Sequence, residues 1–322
     1  MGITSSSSGG QRGQRIVFLG TPEFAVPTLE AIIAAGYDVP LVVTQPDRPQ
    51  GRKQELLPSP VKACALRHSI PVYQPERIRR PESVERLREL APDGMVVVGY
   101  GQIIPQTIID IAPLGIINVH ASLLPELRGA GPIQWSIARG LKRTGVTTMR
   151  IDAGLDTGDT LLRWETPIGP DETGPELSVR LAEAGAALLV KTLAQLTAGH
   201  LQPEPQDNTL ATYAPILKKE DGRINWQDSA QQIHDLVRGF QPWPGALTTF
   251  RGQQLHIWRS RLVPQHLDLA PGTLVFERGV FATGGDGAAL ELLEVQLEGR
   301  KKMAGEIFAN GHRLTNADRL GA

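Results

Sequence analysis

The chain has 322 residues, of which 41% are hydrophobic, and a formal net charge of −1 at pH 7. This balance is typical of a globular protein with room for two domains, and it excludes a strong overall attraction to nucleic acid. The single cysteine, Cys64, excludes a disulfide framework and a zinc site with several thiolates, and it suits a reducing cytoplasm. No apolar run in the sequence approaches the roughly 20 residues of a membrane helix.

Residues 1–14 are mainly serine, glycine, glutamine and arginine, and we expect a disordered tail because they offer almost nothing to bury. From residue 15 to residue 198, apolar strands alternate with helical patterns, which predicts a first domain built on a doubly wound, mostly parallel α/β sheet. The predicted strands are 15–20, 39–44, 72–73, 95–98, 116–120, 145–151 and 161–167, and the predicted helices are 60–68, 81–90, 133–139 and 175–198.

The turn after the first predicted strand contains Thr21, Pro22 and Glu23, a sequence typical of a helix start with the threonine as N-cap. The turn lacks both the glycine fingerprint of dinucleotide-binding folds and the phosphate-binding P-loop motif. We therefore expect a nucleotide-binding shape without a dinucleotide.

The segment 45–55 contains prolines, a glycine and three cations, and it has no periodicity. Loops of this length inside a compact domain are usually functional or disordered. The residues alone leave open whether this loop binds a ligand or is simply solvated.

Two further segments follow predicted strands. In the segment 99–105, Gly99 and Gly101 could let a flat ligand approach the backbone closely, and the isoleucines could line the pocket around that ligand. An ordinary strand-to-helix turn explains these residues equally well. In the strand 116–120, Asn118 and His120 are two residues apart, so both side chains point to one face at the strand end.

An amide and an imidazole placed side by side can both donate hydrogen bonds to an oxygen that gains negative charge. Asp156, between two glycines, could orient His120 or keep it charged. Taken singly, Asn118, His120 and Asp156 could also be loop residues that satisfy local backbone groups.

Residues 199–222 are polar and rich in proline, and we predict a linker. Residues 223–322 have a different composition, with a short helix near 233–237 and strands at 247–250, 255–262, 274–276 and 290–297 separated by glycine-containing turns. Short strands with regular turns predict a small barrel. Arg300, Lys301 and Lys302 fit either a nucleic-acid contact or a solvated turn.

The sequence contains Asn118-x-His120, followed shortly by Ser-Leu-Leu-Pro, and later Leu-Asp156-x-Gly. This combination closely resembles the formyltransferases that use 10-formyltetrahydrofolate as donor. The resemblance implies that Asn118, His120 and Asp156 are the catalytic trio. It also implies folate contacts from residues after two strands, namely Gly99, Tyr100, Gly101, Ile103, Ser122, Leu123, Leu124 and Pro125.

The pattern TQPDRPxGR at 44–52 resembles the inserted loop with which methionyl-tRNA formyltransferases hold the acceptor end of initiator tRNA, and the resemblance extends from about residue 15 to the C terminus. It implies that Arg52 is the key arginine of the loop. Gln54 and Glu55 make the loop less basic than is usual in that family. It further implies an OB-like C-terminal domain that grips tRNA, and the candidate tRNA contacts are Arg48, Arg52, Lys53, Lys218, Lys219, Arg300, Lys301 and Lys302.

The reaction implied by the resemblance is transfer of a formyl group to the α-amino group of initiator methionyl-tRNA, a step of translation initiation in the cytoplasm, by a monomeric enzyme. The chemistry calls for no metal. The closest alternative is a sugar-nucleotide N-formyltransferase with the same donor, and a remote one is an inactive folate- or RNA-binding module.

Overall fold

The computed structural model describes residues 13–50, 55–315 and 317–321, with the side chains of residues 50 and 55 excepted. Contacts divide the chain into two compact units, and the division is not a single cut along the sequence. The first unit contains the described residues up to His120, Thr147–Arg163 and Ala182–Gln206. The second contains Ala121–Val146, Trp164–Leu181 and the residues from Asp207 onward.

The first fifteen elements alternate largely as the sequence predicts. The strands are β1 (Ile16–Gly20), β2 (Val42–Val43), β3 (Arg48–Gln50), β4 (Glu55–Leu57), β5 (Val72–Tyr73), β6 (Gly94–Val98), β7 (Ile116–His120), β8 (Arg143–Arg150) and β9 (Thr160–Pro167). The helices are α1 (Val26–Ala34), α2 (Pro60–Arg67), α3 (Pro81–Glu89), α4 (Gln106–Ile109), α5 (Pro132–Ala138) and α6 (Gly174–Thr197).

Seven of these strands form one sheet in the order β5-β2-β1-β6-β7-β8-β9. The strands β5, β2, β1, β6 and β7 run parallel, and β8 pairs antiparallel with β7. All residues of β1, β6 and β7 are buried, as expected for strands covered on both faces. The predicted doubly wound, mostly parallel α/β sheet is confirmed.

The second unit contains an antiparallel sheet in the order β10-β11-β14-β13-β12, with β15 paired to β14. Its core contains apolar side chains from the sheet and from two helices, together with Trp226. The elements are α7 (Ala230–Gly239), β10 (Ala246–Phe250), β11 (Gln253–His266), β12 (Leu274–Phe276), β13 (Val280–Thr283), β14 (Ala288–Leu297), β15 (Met303–Ala304) and α8 (Gly305–His312). The sequence did not predict β13, β15 or α8.

Two local predictions are corrected by the structure. Helix α1 begins at Val26 after a 3-10 turn, and Thr21 does not cap it, because its hydroxyl donates to the Tyr100 carbonyl at 3.1 Å. The segment predicted to lack regular structure contains an antiparallel pair, β3 with β4, in which Arg48 faces Leu57.

The predicted linker is hydrogen-bonded along its length. Glu204 exchanges two backbone hydrogen bonds with Thr160, of 2.8 and 2.9 Å, in the first unit. In the second unit the backbone of Arg128 donates to Thr212 at 2.9 Å and accepts from Ala214 at 2.7 Å. Backbone hydrogen bonds therefore hold Glu204, Thr212 and Ala214 of this segment in place. Along the described residues, none of the helices is long and apolar enough to cross a membrane.

The C-terminal residues complete the antiparallel sheet. The Leu320 N–H donates to the Gly272 carbonyl at 2.8 Å, and the Gly321 N–H donates to the Thr249 carbonyl at 3.0 Å. The Leu320 side chain is 2% exposed and belongs to the core of the second unit. This short segment therefore connects the two edges of the sheet, β10 and the start of β12.

We expect Leu320→Ala to lower the free energy of unfolding by about 2–5 kcal/mol, because it removes buried methyl groups and leaves a cavity. Urea unfolding followed by circular dichroism measures the loss. Leu269→Ala is the matched control, since Leu269 is 43% exposed and should change stability by less than about 0.5 kcal/mol. Equal losses in the two variants would contradict the closing role of Leu320.

The surroundings of a buried histidine predict that the stability of the protein depends on pH. His234 is 3% exposed, and its ring nitrogens lie 3.0 Å from the Ser260 hydroxyl and 3.3 Å from the Pro170 carbonyl. Burial, and then the charge of Arg238, lower the pKa of His234 below its usual 6.5. The unfolded chain therefore takes up a proton near pH 6.5 while the folded protein does not, and stability falls as the pH drops from about 6.5 toward the lower folded pKa.

We predict that His234→Gln flattens this pH dependence between pH 7.5 and pH 5.5, as measured by urea unfolding at each pH. The exposed His200 provides the control variant His200→Gln, which should keep the wild-type slope. An unchanged slope in His234→Gln would show that other groups cause the pH dependence.

Candidate active site

The end of β7 places Asn118 and His120 on one face of a strand with neighbours on both sides. Asn118 lies beside Val97 of β6 and opposite Met149 of β8, and His120 lies opposite Thr147. Both residues are largely buried, at 9% and 6% exposure. Two polar groups are thus held on a rigid strand at the carboxyl edge of the parallel sheet, where open α/β sheets bind ligands.

Asp156 lies in the loop between β8 and β9, close to His120. Its Oδ2 atom is 3.8 Å from Nδ1 of His120, and the two side chains are 18% and 7% exposed. This distance permits ion pairing but exceeds the usual length of a direct hydrogen bond. The predicted trio of Asn118, His120 and Asp156 therefore lies within one compact unit.

The loop around Asp156 is fixed by its own hydrogen bonds. Asp156 has a φ of +51°, a left-handed conformation that is uncommon for residues other than glycine. The Gln206 amide donates to the carbonyls of Asp156 at 2.9 Å and Gly158 at 2.7 Å. A Cβ atom at Gly158 would lie 2.0 Å from the Arg150 carbonyl oxygen, so the close approach requires glycine.

Gln206 was missed by the sequence analysis. It lies within the segment predicted to be a linker, 50 residues after Asp156, and no local pattern marks it. Only the folded arrangement identifies it as the support of the loop.

A cavity of about 480 Å³ lies at the ends of β1, β2 and β6. Gly99, Tyr100 and Gly101 line it, together with Arg48. The two glycines have φ values of +57° and +86°, so the chain turns here in a conformation that glycine adopts readily. The predicted folate residues of this segment, Ile103 excepted, therefore lie at a cavity of the first unit.

Tyr100 contributes its backbone rather than its ring to this wall. Its side chain is 2% exposed and packs in the core of the first unit, where burial raises the pKa of the phenol. Its carbonyl accepts hydrogen bonds from the Thr21 hydroxyl at 3.1 Å and the Gln45 amide at 3.0 Å. The sequence analysis gave Thr21 only a capping role and gave Gln45 no role of its own, because their bonds to Tyr100 join residues more than 50 positions apart.

Asp47 is a charged group of the cavity wall that the sequence analysis did not predict. It pairs with Lys62 and accepts a 2.8 Å hydrogen bond from the Gln74 amide. The Lys62 ammonium, and then the Gln74 amide, lower the pKa of the Asp47 carboxyl, so it stays ionised.

The other predicted folate residues have different surroundings. Ile103 is 90% exposed, whereas Leu124 is buried and Leu123 and Pro125 are half-buried. The Ser122 hydroxyl is buried and donates to the Glu126 carbonyl at 2.5 Å. Residues 122–125 belong to the second unit.

The predicted basic residues lie in several places. Arg48 is exposed on β3, while Arg52 and Lys53 lie outside the described residues. The remaining candidates are all exposed and belong to the second unit, namely Lys218, Lys219, Arg300, Lys301 and Lys302.

Lys302 and Lys219 lie near a pair of stacked rings. The rings of His256 and Trp258 are parallel, with centroids 5.4 Å apart, and the Lys302 ammonium lies 3.6 Å from the Trp258 ring centroid. Burial, and then the positive charge of Lys219, lower the pKa of His256, with a smaller contribution from Lys302. This aromatic and basic surface comprises Lys219, His256, Trp258 and Lys302.

His256 and Trp258 were missed by the sequence analysis, although a signal was present. Along β11, Leu255 and Ile257 are buried while His256 and Trp258 are half-buried, which is the alternation of a strand with one face in the core. Two aromatic rings on the outer face of a strand are a recognisable sign of a stacking surface.

Chemically, the trio provides what an acyl-type transfer needs. An amide and an imidazole can donate to a developing oxyanion, and a carboxylate beside the imidazole can stabilise its charged form.

Comparisons with known proteins agree with this chemistry. The chain matches the formyl transferase family over residues 14–193 and the formyl transferase C-terminal domain over residues 216–313. It is 64% identical over 307 residues to the methionyl-tRNA formyltransferase of Solibacter usitatus, covering 95% of this chain and 98% of the relative. It is 56% identical over 308 residues to the enzyme of the same name from Koribacter versatilis, with coverages of 95% and 98%.

A solved structure shares the fold at low sequence identity. The N-formyltransferase from Helicobacter canadensis, solved with folinic acid and dTDP-3-aminofucose, has a TM-score of 0.67 and 19% identity, covering 87% of this chain and 98% of that one. Two domain matches in the expected order and relatives aligned over nearly their whole length lead to one assignment: the chain belongs to the formyl transferase family.

Proposed function

We propose that this chain transfers the formyl group of 10-formyltetrahydrofolate to the free α-amino group of initiator methionyl-tRNA, producing N-formylmethionyl-tRNA for translation initiation. The observation that carries the proposal is the grouping of Asn118, His120 and Asp156 at the carboxyl edge of the sheet, with 3.8 Å between His120 and Asp156. Relatives with the corresponding name and 64% and 56% identity support the acceptor.

The reaction joins the amine nitrogen to the formyl carbon and breaks the bond from that carbon to N10 of the folate. Asn118 and His120 donate to the formyl oxygen as it becomes an oxyanion. Asp156 lies beside the imidazole and, directly or through water, takes the proton that the amine loses. N10 takes up a proton as its bond to the formyl carbon breaks, so that in the net reaction one proton passes from the amine to the folate nitrogen. An α-amino group has a pKa of roughly 7.7–8.0, so no strong base is needed.

The cavity beside Gly99 and Gly101 is the proposed folate site of the first unit, with Ile103 as an exposed apolar group. The proposed folate contacts of Ser122, Leu123, Leu124 and Pro125 rest on the family resemblance alone. The cavity volume of about 480 Å³ is within the range of small-molecule sites. The backbone of Tyr100, held by Thr21 and Gln45, supports a fixed wall.

The aromatic and basic surface of the second unit supports an RNA contact. Single-stranded nucleic acid is typically bound by exposed rings that stack on bases and by cations that bind phosphates. Lys219 and Lys302 lie beside the half-buried rings of His256 and Trp258, so this surface combines cations with aromatic groups. We therefore propose residues 15–198 as the catalytic domain, 199–222 as a linker and 223–322 as an OB-like tRNA-binding domain.

We also propose that the enzyme acts as a monomer in the cytoplasm. The three proposed catalytic residues belong to one compact unit of one chain. Cys64, the single cysteine of the sequence, is buried and suits a reducing compartment where charged tRNA is used.

A sugar-nucleotide acceptor is the alternative that shares the donor and the trio. The deciding experiment incubates the chain with 10-formyltetrahydrofolate and, separately, initiator methionyl-tRNA, elongator methionyl-tRNA and an amino-sugar nucleotide, and measures release of tetrahydrofolate. Transfer confined to initiator tRNA supports the proposal, whereas transfer confined to the sugar nucleotide overturns the acceptor. No transfer to any acceptor would favour an inactive binding module.

We predict that Asn118→Ala and His120→Ala each lower kcat by at least about 10²-fold with little change in folate affinity, because each removes one donor to the oxyanion. Steady-state kinetics and folate titration measure the two effects. His200→Ala removes an exposed histidine outside the trio and should retain wild-type turnover. A loss below fivefold in either site variant would remove that residue from the proposed mechanism.

For the loop, we predict that Arg52→Ala raises KM for methionyl-tRNA by about tenfold or more but leaves transfer to a small amine surrogate unchanged, because the guanidinium would contact a tRNA phosphate. Arg79→Ala, which removes another arginine at an exposed position, should affect neither acceptor. If Arg52→Ala weakened both acceptors equally, the loop would not be a tRNA contact.

A further inference from the structure

Three side chains of the kinds that bind metal ions converge between α1 and α2. They are Glu30 from α1, Cys64 from α2 and His68, the residue that follows the last turn of α2. The three possible ligand atoms are a carboxylate oxygen of Glu30, Sγ of Cys64 and a ring nitrogen of His68. These atoms lie within 4.8 Å of one another. Cys64 and His68 are four residues apart, a spacing that places both on the same side of a helix.

The distance between two of these atoms is that of a preformed ligand pair. The Cys64 Sγ lies 3.8 Å from Oε1 of Glu30. In a tetrahedral zinc site, bonds of about 2.3 Å to sulfur and about 2.0 Å to oxygen separate the two ligands by about 3.5 Å. The pair therefore needs only a small adjustment to share an ion, and the exposed His68 can complete a third bond by rotating its side chain.

We propose that Glu30, Cys64 and His68 bind one Zn²⁺ ion, with the fourth position open to water. Thiolate and imidazole ligands together favour Zn²⁺ over the hard cations Mg²⁺ and Ca²⁺. Cys64 is fully buried, whereas Glu30 and His68 are exposed, so the ion enters from the solvent side and meets the thiol at the bottom of the site.

A bound Zn²⁺ ion balances the negative charges of the Glu30 carboxylate and the Cys64 thiolate. Burial, and then the neighbouring Glu30 carboxylate, raise the pKa of the Cys64 thiol, so the thiol holds its proton in the metal-free protein. A coordinated thiol is deprotonated by the metal, and the proton is released to solvent. Arg67 currently pairs with the same oxygen of Glu30 at 3.2 Å and must release it, which costs little because both side chains are exposed.

The position of the site suggests what the ion does for the molecule. The ion joins α1 to α2, and the opposite end of α2 reaches the cavity. There Ser59 caps the helix by accepting from the Lys62 N–H at 3.1 Å, and its hydroxyl shares a 2.8 Å hydrogen bond with Thr44. The ion therefore fixes the helix whose N-cap, Ser59, lines the cavity and whose Lys62 pairs with Asp47 of the cavity wall.

The test uses the full chain, free of any affinity tag, titrated with Co²⁺ as a spectroscopic substitute for Zn²⁺. Since Cys64 is the only cysteine in the sequence, a thiolate-to-cobalt charge-transfer band can arise only from this residue. We expect the band to saturate at one equivalent and to disappear when Zn²⁺ is added. Absence of the band at millimolar Co²⁺ overturns the proposal.

Variants separate a built site from an isolated thiol. His68→Gln and Glu30→Gln alter exposed side chains, so the fold should persist. Each should weaken Co²⁺ binding at least about tenfold, because even the loss of a residue that only supports a metal ligand typically lowers metal affinity by about 10–100-fold. Arg67→Ala should tighten binding, because it frees the carboxylate. His200→Gln is the control and should bind as the wild type does. If His68→Gln and Glu30→Gln both bind Co²⁺ normally, the three-ligand site is wrong.

Discussion

The candidate site depends on a loop that must fold back along β7. Ile151 hydrogen-bonds to Ile116 at the beginning of β7, because β8 runs antiparallel to that strand, yet Asp156 lies beside His120 at its end. With a rise of about 3.3 Å per residue, the four steps from Ile116 to His120 mean that the loop has to return about 13 Å along the strand. Three features hold the loop in this reversed path. They are the left-handed backbone of Asp156, the close approach of Gly158 to Arg150 and the two hydrogen bonds from Gln206.

A second constraint is that the cavity and the core share residues. The Tyr100 ring packs in the core, and its carbonyl accepts hydrogen bonds from Thr21 and Gln45 at the cavity. The cavity wall is therefore fixed by apolar packing on one side and by hydrogen bonds on the other. Because protein interiors are close-packed, such a wall has little freedom to deform. A site built on these strand ends is accordingly more precise than one built on free loops.

Much of this arrangement was predictable from sequence, since it follows local rules. Buried strands such as β6 and β7 appear as apolar runs, and the two-residue period places Asn118 and His120 on one face. What could not be predicted depends on distant partners. Thr21 bonds across to Tyr100 instead of capping α1, the pairing of β3 with β4 has no periodic pattern, and Gln206 acts on a loop 50 residues earlier.

The ends of the seven-stranded sheet also bear on how the protein behaves while it folds. Edge strand β5 has only two residues, and on the opposite edge β9 presents an exposed run that includes Arg163 and Glu165. Unpaired strand edges are templates on which other chains can pair, and short length and charge are the usual protection. A partly folded chain therefore offers its neighbours a poor template, which favours correct folding over amyloid-like aggregation at the concentrations reached during synthesis.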